Sequence, residues 1–307
     1  MKKFNSQNKQ SECVAIGLYV WNGERTIEQT IKSLLNQTYK NIKIFILDNK
    51  SSDSTVQIIK KIKKIKKNKK KIFLIIDKIQ RNQADAPKFL IKKYLKKYKY
   101  SMLVGDDDIY DQKFIEAILC KLNKKIRMVY TAYNLIDLNG RLYNKEDFPT
   151  YNENNSYFFN LFKFIIYRNL ISMMAGIFET QYLTKSFKFY KIYDKSLTNY
   201  DNLMLVDFLA NNRIGHVNKK LFNYRKKNRI EVAKIRGQKG ISEFQNISKS
   251  LLLIFLYQFN FSKKATEIIA QSKKINEIQK IILYILIIIT YFQKCLSFLI
   301  KKLIKIN

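Results

Sequence analysis

The chain has 307 residues, of which 47% are hydrophobic and 14% aromatic, and this composition excludes an intrinsically disordered protein. Lys and Arg number 58 against 24 Asp and Glu, and the formal net charge of +34 leaves an anionic substrate, an anionic membrane surface or nucleic acid open as a partner. A single histidine argues against a Ser–His–Asp hydrolase or a His-rich zinc site, and three widely spaced cysteines are typical of a reducing compartment. Residues 1–13 contain no apolar run, so we predict no secretory signal and a cytoplasmic protein.

Apolar runs of strand length alternate with segments of helical period through the first 133 residues. The predicted strands are 13–20, 42–47, 71–76, 100–104 and 126–133, and the predicted helices are 23–37, 53–64, 86–98 and 112–122. Strict alternation of this kind predicts a mainly parallel sheet covered by helices. The lysine-rich run at 60–71 keeps Ile62 and Ile65 at helical spacing, so we interpret it as the solvated face and tail of a helix.

Polar stretches follow three of these strands, at 21–24, 48–51 and 106–108. Because ligands of such sheets bind beyond the carboxyl ends of the strands, we expect the three stretches to meet at one edge. Adjacent carboxylates at Asp106, Asp107 and Asp108 repel one another, and Mg²⁺ or Mn²⁺ would remove that repulsion. The alternative is a solvated turn that caps the helix beginning near Asp111.

Several motifs together resemble a known enzyme family. Residues 14–55, VAIGLYVWNGERTIEQTIKSLLNQTYKNIKIFILDNKSSDST, resemble the opening of family 2 glycosyltransferases with the GT-A fold, and SLLNQTY at 33–39 matches fully. GDDDIYDQKFIEAIL at 105–119 resembles the family's DxD segment. The resemblance implies a GT-A domain over 1–235, an α/β fold with a Rossmann-like, mainly parallel sheet flanked by helices. The apolar and basic composition of residues 240–307 separately predicts a C-terminal helical extension.

The resemblance also implies roles for the loops after the first two strands. Trp21 would stack on the nucleotide base, and Asn22 and Glu24 would belong to the same donor-binding loop. Asp48 would bond the base or the ribose. Asn49 stands where a second Asp is usual, and its amide can donate as well as accept, which leaves the identity of the base open although a UDP-sugar is favoured.

Two alignments of the acid triplet remain. Aligned by its strand, Gly105 takes the place of the family's frequent first Asp, Asp106 lies near the ribose and Asp107 is the preferred metal ligand. Asp108 would then act through water or cap the next helix, whereas in the literal D-x-D frame Asp106 and Asp108 form the pair. In either frame the implied cofactor is Mn²⁺ or Mg²⁺, which neutralises charge on the leaving diphosphate.

The catalytic base is expected in the second half of the chain. Residues 199–228 resemble the family's closing region, and Tyr224-Arg225 matches its "YR" segment. Asp201 occupies the approximate position of the family's general base, which implies inversion by direct displacement. A helix N-cap at Asp201 is the structural alternative, and Asp194 and Asp207 are rival bases.

After about residue 240 the chain becomes apolar and basic. The apolar run at 281–292 is shorter than the roughly 20 residues that span a bilayer. Three interpretations stay open: a helix packed on the catalytic domain or on a second copy, a helix lying in the plane of an anionic membrane, and a true span.

These inferences predict a metal-dependent, inverting, hexosyltransferase-like glycosyltransferase. It would use a nucleotide-sugar donor and a carbohydrate or lipid-linked acceptor in cell-surface polysaccharide or glycolipid synthesis, peripheral at the inner face of the membrane, and nucleic acid is disfavoured as a partner. The alternatives are a non-catalytic polyanion- or membrane-binding protein on a degenerate GT-A scaffold and a sugar nucleotidyltransferase.

Overall fold

The computed structural model describes residues 12–81, 85–142, 156–167, 171–186, 200–211, 213–226 and 247–303. Within these ranges one sheet contains β1 (Val14–Val20), β2 (Ile42–Asp48), β3 (Ile72–Ile76), β4 (Tyr100–Val104), β5 (Ile109–Tyr110), β6 (Met128–Ile136), β7 (Ile177–Glu179) and β8 (Ile214–Arg225). The strand order is β3-β2-β1-β4-β7-β6-β8-β5. Contacts among β1 to β4 and between β6 and β8 are parallel, whereas β7 and β5 pair antiparallel with their neighbours. The predicted mainly parallel α/β sheet is confirmed.

Helices cover both faces of the sheet. They are α1 (Ile27–Leu35), α2 (Thr55–Lys64), α3 (Asp85–Leu90), α4 (Phe114–Lys121), α5 (Tyr157–Tyr167), α6 (Ile171–Met174), α7 (Thr180–Ser186), α8 (Tyr200–Ala210), α9 (Ile247–Ala270) and α10 (Glu277–Leu303). The segment predicted as one helix over 86–98 is α3 followed by a π-helical turn, Ile91–Leu95, which the Lys96 N–H closes on the Ile91 carbonyl at 3.0 Å.

Alternate residues of the strands face two separate cores. Val14, Ile16 and Leu18 of β1 point to the core that α1, α2 and α4 cover. Ala15, between them, points to the opposite core, which is filled from α3, α5, α8, α9 and α10. Both sides of β1 are therefore buried, which explains its continuous apolar sequence.

Strand register places the carboxyl ends of four strands side by side. Leu18 of β1 pairs with Val104 of β4, and Val20 of β1 pairs with Asp48 of β2. Asp48 in turn pairs with Ile76, the last residue of β3. The loops that follow these strands consequently emerge along one edge of the sheet, as the sequence predicted.

The C-terminal helix is buried on one side only. Leu283 and Ile287 of α10 are 0% and 1% exposed and belong to the core that also contains residues of α5 and α8. Ile281 and Phe292 are 57% and 63% exposed. Among the residues that the structure describes, Glu277–Phe298 is the one helical stretch long and apolar enough to cross a membrane, and only 22% of its most apolar window is buried.

The lysine-rich run ends α2 and continues beyond it. Ile62 is buried there, while Ile65 is 50% exposed. Between α1 and this run lies a cavity of about 720 Å³ whose lining includes Lys32, Lys40, Lys61, Lys67 and Lys71. Burial lowers the pKa of the Lys71 ammonium, and the nearby Lys40 lowers it further. Because Lys71 directly precedes β3, this cavity lies at the amino ends of the strands, away from the predicted site.

Candidate functional site

The loop after β1 is locked to the loop after β2 by backbone and side-chain hydrogen bonds. The Asn22 N–H donates to Ser51 Oγ at 2.9 Å, and Asn22 Oδ1 accepts from the Ser52 N–H at 2.9 Å. The Gly23 N–H donates to Thr55 Oγ1 at 2.9 Å. Asn22 adopts φ of 50°, a left-handed conformation that Asn tolerates better than most residues. Asn22 therefore joins the two loops. The preceding residue, Trp21, lies half-exposed at this edge of the sheet.

Glu24 fixes the start of α2. Its Oε2 accepts from the Ser54 N–H at 3.0 Å, and its own N–H donates to Asp53 Oδ2 at 3.1 Å. The Glu24 residue is exposed, so its second carboxylate oxygen stays accessible from solvent. In this arrangement Glu24 braces the loop on the rim of the site.

Asp48 ends β2 with one carboxylate oxygen bonded and one not. Its Oδ2 accepts from the Ser51 N–H at 3.1 Å. Its Oδ1 is buried and has no hydrogen-bond partner among the described residues, although Asp48 is only 1% exposed. Since a buried acceptor without a donor costs about 1–3 kcal/mol, Oδ1 marks a place where a bound ligand would supply an N–H or O–H.

Asn49 pairs with the backbone of the loop after β3. Its Nδ2 donates to the Arg81 carbonyl at 2.8 Å, and its Oδ1 accepts from the Arg81 N–H at 2.7 Å. An Asp at this position could accept but could not donate, so the amide is required for the pair. The Arg81 guanidinium pairs with the Asp77 carboxylate and lies 4.0 Å from the centre of the Phe89 ring.

Arg81 and Asp77 were not among the site residues predicted from the sequence. Both follow β3, and the Asp77 N–H donates to the Asp48 carbonyl at 2.9 Å, which brings this loop beside the predicted site. The available signal was their place after the carboxyl end of a strand, the same rule that selected the other three polar stretches.

The acid triplet follows β4 and presents its carboxylates unequally. Asp106 and Asp108 are buried at 6% and 8% exposure, whereas Asp107 is half-buried. The Asp106 carboxylate lies directly against Gly23, where an added Cβ would clash with it and would also lie 2.7 Å from Val20 Cγ2. Only Gly at position 23 allows the first loop to approach the triplet this closely.

Asp108 ties the triplet to β8 and α1. Its Oδ1 accepts from the Arg225 N–H at 3.0 Å, and its backbone carbonyl accepts from Thr30 Oγ1 at 2.8 Å. One oxygen of Asp108 is thus used within the protein, so Asp107 is the acid of the triplet whose side chain reaches solvent most readily.

The Arg225 guanidinium is buried beneath the triplet and joins three segments. Nε donates to the Asp107 carbonyl at 2.6 Å, and Nη2 donates to Gln29 Oε1 at 2.7 Å. Nη1 donates to the carbonyls of Asp137, at 2.9 Å, and Leu138. Burial lowers the pKa of this group, and the carboxylates of Asp107 and Asp108 oppose that shift. A guanidinium keeps its charge in proteins, so a fixed cation holds the backbone of the acid loop.

The two acids also affect neighbouring tyrosines. Burial raises the pKa of Tyr224 to about 12, and Asp108 and Asp107 add to that shift. Burial and the same two carboxylates raise the pKa of Tyr110 as well. Both phenols therefore remain protonated and neutral beside the triplet at ordinary pH.

The donor set fits a divalent cation that is shared with a phosphate. In the parts of the chain that the structure describes, no group of three or more His, Cys, Asp or Glu side chains is arranged to hold a metal on its own. Mg²⁺ and Mn²⁺ are commonly held by one or two carboxylates together with substrate phosphates, and the half-buried Asp107 offers such a carboxylate at the strand edge.

The candidate bases, and the single histidine, lie at separate places in the second half of the chain. Asp201 lies in the first turn of α8, with its side chain outside the described residues, and Asp194 lies outside them altogether. Asp207 accepts from Ser186 Oγ at 2.6 Å and from Asn211 Nδ2 at 3.1 Å, so it joins α7 to α8. His216 is buried within β8 with its ring 4.7 Å from that of Tyr130.

Curated relatives match somewhat less than half of the chain. An uncharacterized glycosyltransferase of Rickettsia prowazekii is 35% identical over 134 residues, which cover 43% of this chain and 39% of that protein. The Escherichia coli protein WfaP, a UDP-Glc:alpha-D-GlcNAc-diphosphoundecaprenol beta-1,3-glucosyltransferase, is 35% identical over 123 residues, covering 40% of this chain and 46% of WfaP. The chain thus matches less than half of the length of these relatives.

Solved structures share the fold at low sequence identity. S. aureus TarS 1-349 in complex with UDP-GlcNAc aligns with a TM-score of 0.57 and 15% identity, covering 84% of this chain and 71% of that one. A mannosyltransferase from Pyrobaculum calidifontis in complex with GDP-Man and Mn²⁺ aligns with a TM-score of 0.50 and 10% identity, covering 89% and 79%. The expected GT-A fold, including C-terminal helices, is confirmed.

The family model described as glycosyl transferase family 2 matches residues 16–181. This match contains the two interlocked loops, the acid triplet and the loop with Arg81, and it takes in 166 of the 307 residues. The chain belongs to glycosyltransferase family 2.

Proposed function

We propose that this protein transfers a sugar from a UDP-sugar to an acceptor hydroxyl with inversion, in the assembly of a cell-surface polysaccharide or glycolipid. The observation that carries the proposal is the meeting of Asp48, Gly23 and the acid triplet at the carboxyl edge of the sheet. A stable protein gains nothing from a buried carboxylate oxygen without a donor, whereas a nucleotide supplies such donors.

The nucleoside is proposed to bind between the loops after β1, β2 and β3. Asp48 Oδ1 would accept from an N–H of the base or a ribose hydroxyl, and the half-exposed Trp21 ring would stack on the base. Asn49 would act through Arg81, because its amide already holds the Arg81 backbone. Uridine is favoured because WfaP uses UDP-Glc and TarS binds UDP-GlcNAc.

Asp107 is proposed as the principal protein ligand of Mn²⁺ or Mg²⁺, with Asp108 beside it and Asp106 toward the ribose. The ion, when bound, would neutralise the charge that develops on the diphosphate. Arg225 holds the Asp107 carbonyl and the Asp108 side chain in place, so the orientation of the acid loop is set before a donor binds. The Pyrobaculum relative of the same fold binds Mn²⁺ together with GDP-Man, which supports this assignment.

Asp201 is proposed as the general base. A carboxylate there would take the proton of the acceptor hydroxyl as the oxygen attacks the anomeric carbon opposite the leaving diphosphate, so the configuration inverts. Glu24 and Asn22 shape the donor side of the site, since both brace the loop that carries Trp21. A lipid-linked sugar is the favoured acceptor, because WfaP acts on a diphosphoundecaprenol-linked sugar.

Two departures from the family pattern, Asn49 and Gly105, are the reasons to consider a degenerate, non-catalytic scaffold. The pairing of the Asn49 amide with the Arg81 backbone gives Asn49 a structural purpose that does not require loss of catalysis. At Gly105 an added Cβ would lie 3.0 Å from Asp107 Oδ1, so a side chain there would crowd the proposed metal ligand. Both departures are compatible with an active site.

The proposal is tested by a scan of donor hydrolysis. Purified full-length protein is incubated with UDP- and GDP-sugars, with Mn²⁺ or with a chelator, and release of the free nucleotide is measured. We expect slow, Mn²⁺-dependent release of UDP from one or a few UDP-sugars. Release that is equal with the chelator would contradict the metal, and no release from any donor, together with no donor binding, would favour the non-catalytic scaffold.

A further inference from the structure

The outward side of α10 is a continuous apolar stripe. Its members are 41% to 72% exposed and recur at helical spacing: Ile278, Ile281, Ile282, Ile285, Ile288, Ile289, Phe292, Leu296 and Ile300. At 1.5 Å per residue the stripe is about 33 Å long. Soluble monomers rarely expose a contiguous apolar surface of this size without a partner, so we expect another molecule or a membrane to cover the stripe.

The inward side of α10 shows that the helix stays on the protein. Leu283, Ile287, Thr290 and Cys295 are 0% to 3% exposed, so buried positions continue over more than three turns. A helix crossing a bilayer in isolation would have to strip Leu283 and Ile287 from the core they share with α5 and α8. The stripe can meet a flat surface while these contacts remain, with the helix axis parallel to that surface.

The positive charge of the chain indicates what covers the stripe. Two copies of a chain with formal net charge +34 repel each other, which disfavours a second copy on the stripe. An anionic lipid surface attracts the same charge, and lysines flank the stripe: Lys273 and Lys274 are exposed before it, and Lys301 and Lys302 follow in the sequence. We infer that α10 docks the folded protein in the plane of an anionic membrane through its outward apolar stripe.

Full-length protein is sedimented with vesicles of phosphatidylcholine alone or mixed equally with phosphatidylglycerol. We expect binding to the anionic vesicles, weakened but not abolished by high salt. The stripe variant Ile285→Gln, Ile288→Gln, Phe292→Gln removes apolar contact without changing charge and should lower the partition coefficient at least about tenfold. A matched control, Ile65→Gln, Ile76→Gln, Ile79→Gln, alters residues of similar exposure, 50% to 59%, and should bind as the parent does.

Thermal melts and light scattering complete the test. Because the substituted side chains are exposed, the stripe variant should keep the parental melt, as should a second set, Ile278→Gln, Ile282→Gln, Ile289→Gln. Parental vesicle binding by both stripe variants would overturn the inference. So would a dimer that the stripe variant converts to a monomer, which would make a second copy the occupant. Loss of the cooperative melt in both sets would show the stripe to be core and would equally contradict it.

Discussion

The carboxyl edge of the sheet and the outward side of α10 depart from ordinary protein packing in opposite ways. At the sheet edge, acids are buried: Asp48, Asp106 and Asp108 are 1% to 8% exposed. On α10, isoleucines and a phenylalanine are exposed by 41% or more. Both arrangements carry a cost for the isolated chain, because buried charge loses hydration and exposed apolar surface orders water.

We infer that each region is completed by something from outside the chain. At the sheet edge, internal partners satisfy part of the need, through Arg225 and the interlocked loops, and leave Asp48 Oδ1 for a ligand. On α10, the inward side is satisfied by the core and the outward side is left for a surface. The substitutions that follow alter the proposed site at the sheet edge, whereas the stripe variants given above alter α10, so the two regions can be changed separately.

The largest effect is expected at Asp201. If it is the base, Asp201→Asn should lower sugar transfer by at least about 10²-fold while UDP binding stays close to that of the parent. Transfer is measured with the donor found by hydrolysis and a panel of lipid-linked and free sugar acceptors. Asp207→Asn on the same helix is the control, because Asp207 bonds Ser186 and Asn211, and that change should lower stability rather than transfer. Parental transfer by Asp201→Asn would show that the general base lies elsewhere.

Arg225→Lys should separate the acid loop from its support. A lysine keeps the charge but cannot reach the Asp107 carbonyl, Gln29 and the Asp137 carbonyl together. We expect a loss of about 2–4 kcal/mol in the free energy of unfolding, measured in urea, and weaker Mn²⁺-dependent UDP binding. Arg141→Lys, at an exposed arginine, should change neither quantity. If Arg225→Lys is as stable as the parent, the guanidinium does not support the loop.

A smaller effect is expected at Asn49. Restoring the residue usual in the family, by Asn49→Asp, should destabilise the protein by about 1–3 kcal/mol, because the donor to the Arg81 carbonyl is lost and a carboxylate faces that carbonyl. Thermal and urea unfolding measure this, with Asn139→Asp in an exposed turn as the control. Unchanged stability with tighter UDP binding would instead mean that Asp at this position binds the donor better and that Asn49 weakens the site.

The sequence predicted the sheet, the helices of the first half and the edge at which polar loops meet, because these depend on short-range periodicity and on the geometry of parallel strands. It could not predict how the side chains of that edge are bonded. The Asn49–Arg81 pair and the contacts of Arg225 with Gln29 and Asp107 join residues 32 to 196 positions apart, and no local pattern encodes them. The two sides of α10 could not be told apart either, since residues 281–292 are apolar almost without interruption and only tertiary packing distinguishes the buried side from the exposed side.

Calorimetric titration of UDP into full-length protein tests the proposed metal-dependent nucleotide-sugar site on the acid triplet. The parent should bind UDP with Mn²⁺ and bind far more weakly with a chelator. Asp107→Asn should lose at least about tenfold in the Mn²⁺-dependent affinity and keep the parental melt. Asp111→Asn, at an exposed acid whose carboxylate accepts from the Lys113 N–H at 2.8 Å, should bind as the parent does. Equal Mn²⁺-dependent affinity in the parent and in Asp107→Asn would contradict a metal site on the acid triplet.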